Sequence, residues 1–236
     1  MADKVEITWH GHACFTLDFG KKVVVDPFIE GNPMAKIKKD DIKADLVVVT
    51  HGHSDHLGDA VEIASKNKAP IVTFVELGWM LNSENKHLDI RAINYSGSTE
   101  VDGIRVTAVP ALHSSSLDGK YAGNPAGMVI SSGITVYHAG DTGVFGDMSI
   151  ISDLYKPDIS LLPIGGFYTM SEYEATYAAG LLKSPYFIPM HYNTFDLIKA
   201  DPQKFKKETE EKHQVNVIVP EVEEVIKIDK QDLGKR

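Results

Sequence analysis

The sequence predicts an α+β protein, a sandwich of two β-sheets with helices on both outer faces. Short apolar runs, bounded by Gly, Pro or Asp, recur along the whole chain. Strand-like stretches come first, and helix-like ones join them later, in each of two similar halves. No linker-like segment divides the halves, so residues 1–236 read as a single domain.

Val5-Glu6-Ile7-Thr8-Trp9 alternates as a half-buried strand does, and Cys14 to Phe19 continues the pattern less cleanly. Gly20-Lys21-Lys22 is a hairpin turn into Val23-Val24-Val25, which Asp26-Pro27 ends. Residues 29–42 contain Gly31-Asn32-Pro33 and a lysine cluster and read as a loop. Leu46 to Thr50 is a continuous apolar run, the mark of a strand covered on both faces. Asp59 to Lys68 has helical spacing, Ile71 to Phe74 is a strand, and a short helix starts within 76–84. Ile104 to Val109 is a strand stopped by Pro110. Met128 to Ile130 and Ile134 to His138 flank Ser132-Gly133 as a hairpin. Ile159 to Pro163 is a strand, and Ser171 caps a helix to Lys183 with Glu174 completing a capping box. Tyr186 to Pro189 is a strand, Pro202 opens a helix to Lys212, and Val215 to Val219 is the closing strand.

Composition narrows the function. An apolar fraction of 43% supplies a core, and no run of about 18 apolar residues exists to span a membrane. The opening Met1-Ala2-Asp3-Lys4 lacks a signal-peptide pattern, and a lone cysteine, Cys14, forbids an intrachain disulfide; a cytoplasmic location is expected. Cys14, flanked by Ala13 and Phe15, reads as a buried structural thiol. The formal charge of −9 argues against a nucleic-acid partner. Lys36 to Lys39 precedes Asp40 and Asp41 and reads as a solvated loop, and Lys204 to Lys207 beside Glu208, Glu210 and Glu211 reads as an exposed helix face. A homo-oligomer is compatible with the sequence, which is silent on assembly.

The chemistry concentrates in His51-Gly52-His53-Ser54-Asp55-His56, directly after an apolar strand that would end in a tight loop. Imidazole and carboxylate suit Zn²⁺, and imidazole also suits Fe, Ni and Mn. Such a cluster without a metal would leave buried polar groups unsatisfied. Other candidates also stand just beyond strands: His113 after Pro110, Asp141 after Ala139-Gly140, and His191 after Met190. His51, His53 and His113 suit one metal, Asp55, His56 and His191 a second, and Asp141 bridges the two. His87, His138 and His213, each taken alone, read as surface or satisfied core histidines, although His138 is also close enough to Asp141 to support it.

These residues resemble the metallo-β-lactamase superfamily, whose His-x-His-x-Asp-His signature stands at His51 to His56 and whose later ligands match His113, Asp141 and His191. The resemblance implies a four-layer αββα sandwich of two mixed sheets. Ile7-Thr8-Trp9-His10-Gly11-His12-Ala13-Cys14-Phe15 and Asp26-Pro27-Phe28 resemble a branch of metal-dependent hydrolases similar to ascorbate-6-phosphate lactonase and, more distantly, to N-acylphosphatidylethanolamine phospholipase D.

The expected function is a hydrolase of a small ester, lactone or phosphodiester, in which two divalent ions activate a bound hydroxide. Zn²⁺ is the first choice, with Mn, Ni or Fe as alternatives. Asp55 is both ligand and proton acceptor. His12, in a Gly-flanked turn, is either a proton donor or substrate contact at the site rim, or a partner of backbone or a ligand carboxylate; His10 takes the latter role. Gly165-Gly166 either approaches a ligand closely or connects strand to helix, and Ser114-Ser115-Ser116 either lines the pocket or forms a polar loop. The competing classes are a metal-binding protein without turnover, a nuclease or phosphodiesterase acting on nucleic acid, and a flavo-diiron oxidoreductase. The last is disfavoured because His53 and His56 are retained and no flavin domain fits.

Overall fold

Alternating side chains in the first strand sort to two faces. In β1 (Lys4–Trp9), Val5, Ile7 and Trp9 are buried, while Glu6 and Thr8 are half-buried on the opposite side. The computed structural model describes residues 2–233. The first half continues through β2 (Phe15–Asp18), β3 (Lys22–Val25), β4 (Leu46–Val48), α1 (Ser54–Leu57), α2 (Ala60–Asn67), β5 (Ile71–Phe74), α3 (Val75–Glu84) and β6 (Ile90–Ile93). The second half starts with β7 (Ser98–Val101), β8 (Ile104–Pro110) and a small ribbon of β9 (Ser116–Leu117) and β10 (Lys120–Tyr121). It goes on with β11 (Ala126–Ser131), β12 (Thr135–His138), α4 (Met148–Tyr155), β13 (Ile159–Pro163), α5 (Glu172–Leu182) and β14 (Tyr186–Met190). It finishes with α6 (Pro202–His213), β15 (Asn216–Val217) and β16 (Val225–Asp229).

Two seven-stranded mixed sheets result, ordered β16-β1-β2-β3-β4-β5-β6 and β15-β14-β13-β12-β11-β8-β7. Each is antiparallel on one side and parallel on the other, with helical crossovers between the parallel strands except from β3 to β4, which a long loop joins. The apolar runs of the central strands are buried on both faces, as their continuity predicts. Val23, Val25, Leu46 and Val48 point between the sheets toward Val106, Met128, Ile130 and Leu161. Val24, Val47, Val49 and Ile71 point outward, under Ile63 of α2 and Leu77 and Leu81 of α3.

This topology decides where the site lies. β1 and β3 run the same way because each is antiparallel to β2, and β4 is parallel to β3. In the other sheet β8, β12, β13 and β14 share one direction. Residues just past β3, β4, β8, β12 and β14 are therefore drawn from the C-terminal ends of co-directional strands.

The structure departs from the sequence expectations in several places. The histidine-rich motif is not wholly loop, since its second half winds into the single turn of α1. The stretch at 215–219 forms only a two-residue strand, and the last sheet strand is β16, which pairs with β1. That strand alternates Ile226 and Ile228 inward with Lys227 outward, but charged neighbours mask the pattern. β6 and β7 are half-exposed edges with weak alternation, and α4 leaves Ile150 and Leu154 exposed, which breaks its helical stripe. The capping box stands as expected, with Ser171 N–H donating to Glu174 Oε2 at 2.9 Å.

One buried side chain without a hydrogen-bond partner lies on the outer face of the second sheet, where Tyr137 shares the side of Val129 and packs on Gly127. The Tyr137 side chain is fully buried and its hydroxyl makes no hydrogen bond. Burial alone pushes that phenol up from its ordinary pKa. Tyr137→Phe is expected to raise stability by about 1 kcal/mol, a Tm gain of roughly 2–4 °C for a chain this size. A fall in Tm on calorimetry would mean that an unseen partner satisfies the hydroxyl.

Candidate metal centre

Asp26 sets the local geometry. It follows β3 with φ of 46°, and its buried carboxylate faces the end of β4. Asp26 Oδ1 accepts the Thr50 backbone N–H at 2.8 Å, and Oδ2 accepts the Thr50 hydroxyl at 2.7 Å. The same Oδ2 accepts from His56 Nδ1 at 2.8 Å. With its hydroxyl proton committed to Asp26, Thr50 Oγ1 can only accept from His51 Nδ1, 3.0 Å away. Both rings thus carry the proton on Nδ1 and present Nε2 to the site, the arrangement that an outer partner imposes on metal-binding histidines.

The other groups arrive from separate segments. His53 is the cap residue of α1, and its Nδ1 lies 3.0 Å from His51 Nε2. The loop after β8 brings His113, and Leu112 in that loop donates its N–H to Thr142 Oγ1 at 2.9 Å, tying it to the Asp141 turn. Gly140, with φ of 61°, makes that turn where a side chain would press on Thr50 Cβ, 3.1 Å from an added Cβ. His191 follows β14 with φ of 54°, its N–H donating to the His12 carbonyl at 2.9 Å.

All seven metal-binding candidates from the sequence meet at this edge. Ring nitrogens of His51, His53 and His113 lie close enough to share one ion, as do the groups of His12, Asp55, His56 and His191, and those of His51, His56 and Asp141. Asp141 stands between the sets: Oδ1 is 3.2 Å from His56 Nε2, and Oδ2 is 3.1 Å from His191 Nε2 and 3.5 Å from His113 Nε2. His191 Nε2 lies 4.0 Å from Asp55 Oδ2.

The donor set fits a metal on two counts. His56 Nε2 and Asp141 Oδ1 are close, yet neither makes a hydrogen bond of proper geometry, and both ring nitrogens of His191 are buried without a partner. Orphaned buried donors and acceptors are costly unless something else satisfies them. Burial also keeps His51, His53 and His113 neutral by pushing their pKa values down, so their lone pairs are available. His56 behaves differently in the metal-free protein. Burial opposes its charge, but Asp141 and Asp26 outweigh burial and raise its pKa well above the usual value. Burial would likewise raise Asp55 and Asp141. The His12 hydrogen bond overrides it at Asp55, and the imidazoles of His191 and His56 at Asp141, holding both well below the carboxylate range.

His12 is not at the rim. It is fully buried beneath Asp55, with Nε2 3.1 Å from Asp55 Oδ2 and Nδ1 2.9 Å from Thr194 Oγ1. Burial and the neighbouring His191 lower its pKa to about 4. A neutral ring has one N–H, and the ionised Asp55 only accepts, so His12 Nε2 donates to Asp55 and Nδ1 accepts from Thr194. His10 pairs with Glu223 at 2.9 Å and Thr16 at 2.7 Å, away from the centre. His138 holds the Ala13 carbonyl at 2.9 Å and takes the Gly140 N–H, supporting the Asp141 turn from below. Cys14 is fully buried, and burial raises its thiol pKa.

A cavity of about 610 Å³ opens over the centre. His53, Asp55, His113, Asp141 and His191 form its floor, and Phe28, Tyr168, Phe195 and Leu197 its walls, with Ser54 and Ser114 between. Ser115 instead is buried and accepts the Gly52 N–H at 3.1 Å. Gly165 is packed so tightly that an added Cβ would collide with the His191 carbonyl. Sequence reading had overlooked Asp26, Thr50 and Thr194. The signal for Asp26 was present, since a carboxylate directly after Val23-Val24-Val25 follows the same strand-end rule as Asp141.

Comparison with known proteins agrees with this architecture. A profile described as the beta-lactamase superfamily domain matches residues 6–191. A UPF0173 metal-dependent hydrolase from Thermoplasma volcanium is 50% identical over 224 residues, covering 95% of this chain and 99% of its own. One from Methanosarcina mazei is 46% identical over 224 residues, covering 93% and 96%. The solved structure of Igni18, a metallo hydrolase from the hyperthermophilic archaeon Ignicoccus hospitalis, is 37% identical with a TM-score of 0.87, covering 96% of this chain and 99% of that one. No helix among the described residues is long and apolar enough to cross a membrane. The chain belongs to the metallo-β-lactamase superfamily, among its UPF0173 metal-dependent hydrolases.

Proposed function

We propose that this metal-dependent hydrolase is dinuclear and acts on a small ester, lactone or phosphodiester. The observation that carries the proposal is the convergence of five imidazoles and two carboxylates whose facing atoms leave several buried groups unsatisfied. His51, His53 and His113 would hold one divalent cation, Asp55, His56 and His191 the other, with Asp141 between them. Zn²⁺ is the first choice for this donor set, with Mn, Ni or Fe as alternatives. When bound, the cations lower the pKa of water to about 7 and polarise the electrophile.

The chain's own residues supply the rest. Asp55, on the cavity floor, is the group placed to orient the attacking water and take its proton. His12 donates to the rear of that carboxylate, so it acts through Asp55 as a positioning residue. The acidic charge of −9 and, among the described residues, the absence of Lys or Arg from the cavity lining weigh against a nucleic-acid substrate and for a small molecule. A single buried thiol fits a cytoplasmic setting.

The test is metal loading of the metal-free protein, followed by a screen with p-nitrophenyl esters, bis-p-nitrophenyl phosphate and lactones. About two ions per chain and turnover of at least one substrate class are expected. Because Asp141 and Asp26 favour the protonated form of His56 without metal, loading should release protons, and apparent affinity should weaken as pH falls. A stoichiometry of one would defeat the dinuclear reading. Full loading without any turnover would favour a metal-binding protein.

A further inference from the structure

We infer that the cavity is built for a neutral carboxylic ester or lactone bearing an aryl or bulky alkyl group, and against phosphorylated substrates. This rests on the hydrolytic reading above and deepens it. The cavity lining combines the candidate metal centre with four large side chains that are apolar or aromatic. Its floor is the candidate metal centre, while Phe28, Tyr168, Phe195 and Leu197 stand along its walls. Tyr168, Phe195 and Leu197 keep 54%, 42% and 56% of their surface exposed, an apolar collar around the cavity.

The collar is held in place rather than splayed. Phe28 and Phe195 have ring centroids 6.4 Å apart, and both meet the buried His12 ring edge-on, at 5.8 and 5.5 Å. Phe28 comes from the turn after β3, Tyr168 from the loop after β13, and Phe195 from the segment after β14, so three separate segments line one cavity. Pockets of this kind take apolar ligands and use a few convergent polar groups for orientation.

Charge argues the same way. Among the described residues no Lys or Arg lines the cavity, whereas phosphate recognition relies on such donors. Asp55 and Asp141 on the floor would offset part of the charge of the two divalent cations, so a phosphorylated group would be held by those cations alone, with no basic side chain on the walls to share it. Hydrolysis of a neutral ester asks for no such donor. Water supplies the oxygen that bonds the acyl carbon, the bond from that carbon to the alcohol oxygen breaks, and the alcohol leaves with a proton.

The test compares p-nitrophenyl phenylacetate with p-nitrophenyl acetate, which share a leaving group, on the metal-loaded protein, with p-nitrophenyl phosphate and bis-p-nitrophenyl phosphate alongside. The phenylacetate ester should be preferred by about tenfold or more in kcat/KM, chiefly through KM. Phe195→Ala and Tyr168→Ala should each shrink that ratio toward one. Equal use of the two esters, an unchanged ratio in both variants, or preference for either phosphate ester would overturn the inference. Titration calorimetry with phenylacetate, acetate and inorganic phosphate separates the two readings. If no ester is turned over, the hydrolytic reading fails. Tighter binding of phenylacetate, lost in Phe195→Ala, would then still support the apolar wall, and equal binding would sink it.

Discussion

Asp141→Ala is expected to lose bound metal and to lower kcat/KM by about 10³-fold or more, with the fold retained. Its two carboxylate oxygens lie within 3.5 Å of nitrogens on His56, His113 and His191, so this one side chain links histidines assigned to both ions. Removing it leaves Asp55 as the one carboxylate among the proposed ligands, too little to offset the repulsion between two divalent cations. Elemental analysis, circular dichroism and turnover check the outcome together. Wild-type metal content in a folded Asp141→Ala protein would defeat the assignment. Asp141→Asn, which keeps the shape but not the charge, separates the electrostatic part from the steric part.

Asp26→Asn is expected to weaken metal affinity by about 10- to 100-fold although Asp26 touches no ion in the proposed arrangement. Its carboxylate accepts three hydrogen bonds, from the Thr50 N–H, the Thr50 hydroxyl and His56 Nδ1. An amide can offer one oxygen and turns an N–H₂ toward groups that also donate, so His56 loses the acceptor that fixes its tautomer. The effect should pass through Thr50 to His51, which places both proposed ions under the influence of one buried residue. Imidazole nitrogen shifts in the metal-free protein provide a readout independent of activity. Unchanged shifts and unchanged affinity would show that the tautomers are set elsewhere.

Much of this was readable from the chain. Residues His51 to His56 sit after a continuous apolar run, and that pairing of pattern and chemistry survives folding because β4 must be buried on both faces. His113, Asp141 and His191 followed the same rule, each one to three residues past a strand. Other features were not readable, for physical reasons. α1 is one turn long, too short for any periodicity to show. β16 pairs with β1 across more than two hundred residues, and its charged positions hide the alternation. His12 lay in a turn whose burial depends on Thr194 and Phe195 closing over it.

The sequence by itself determined the layered α+β class and the inventory of metal-seeking side chains, because periodicity and residue chemistry are local properties. Only the tertiary structure decided which groups meet: that Asp141 stands between two sets of histidines, that Asp26 governs His51 and His56 from behind, and that Phe28 and Phe195 pack together beside the cavity that Tyr168 also lines. Those relations join residues as far apart as Phe28 and Phe195, 167 positions along the chain. They arise from the co-directional strand ends of two sheets meeting at one edge, a geometry that exists only once both sheets have packed.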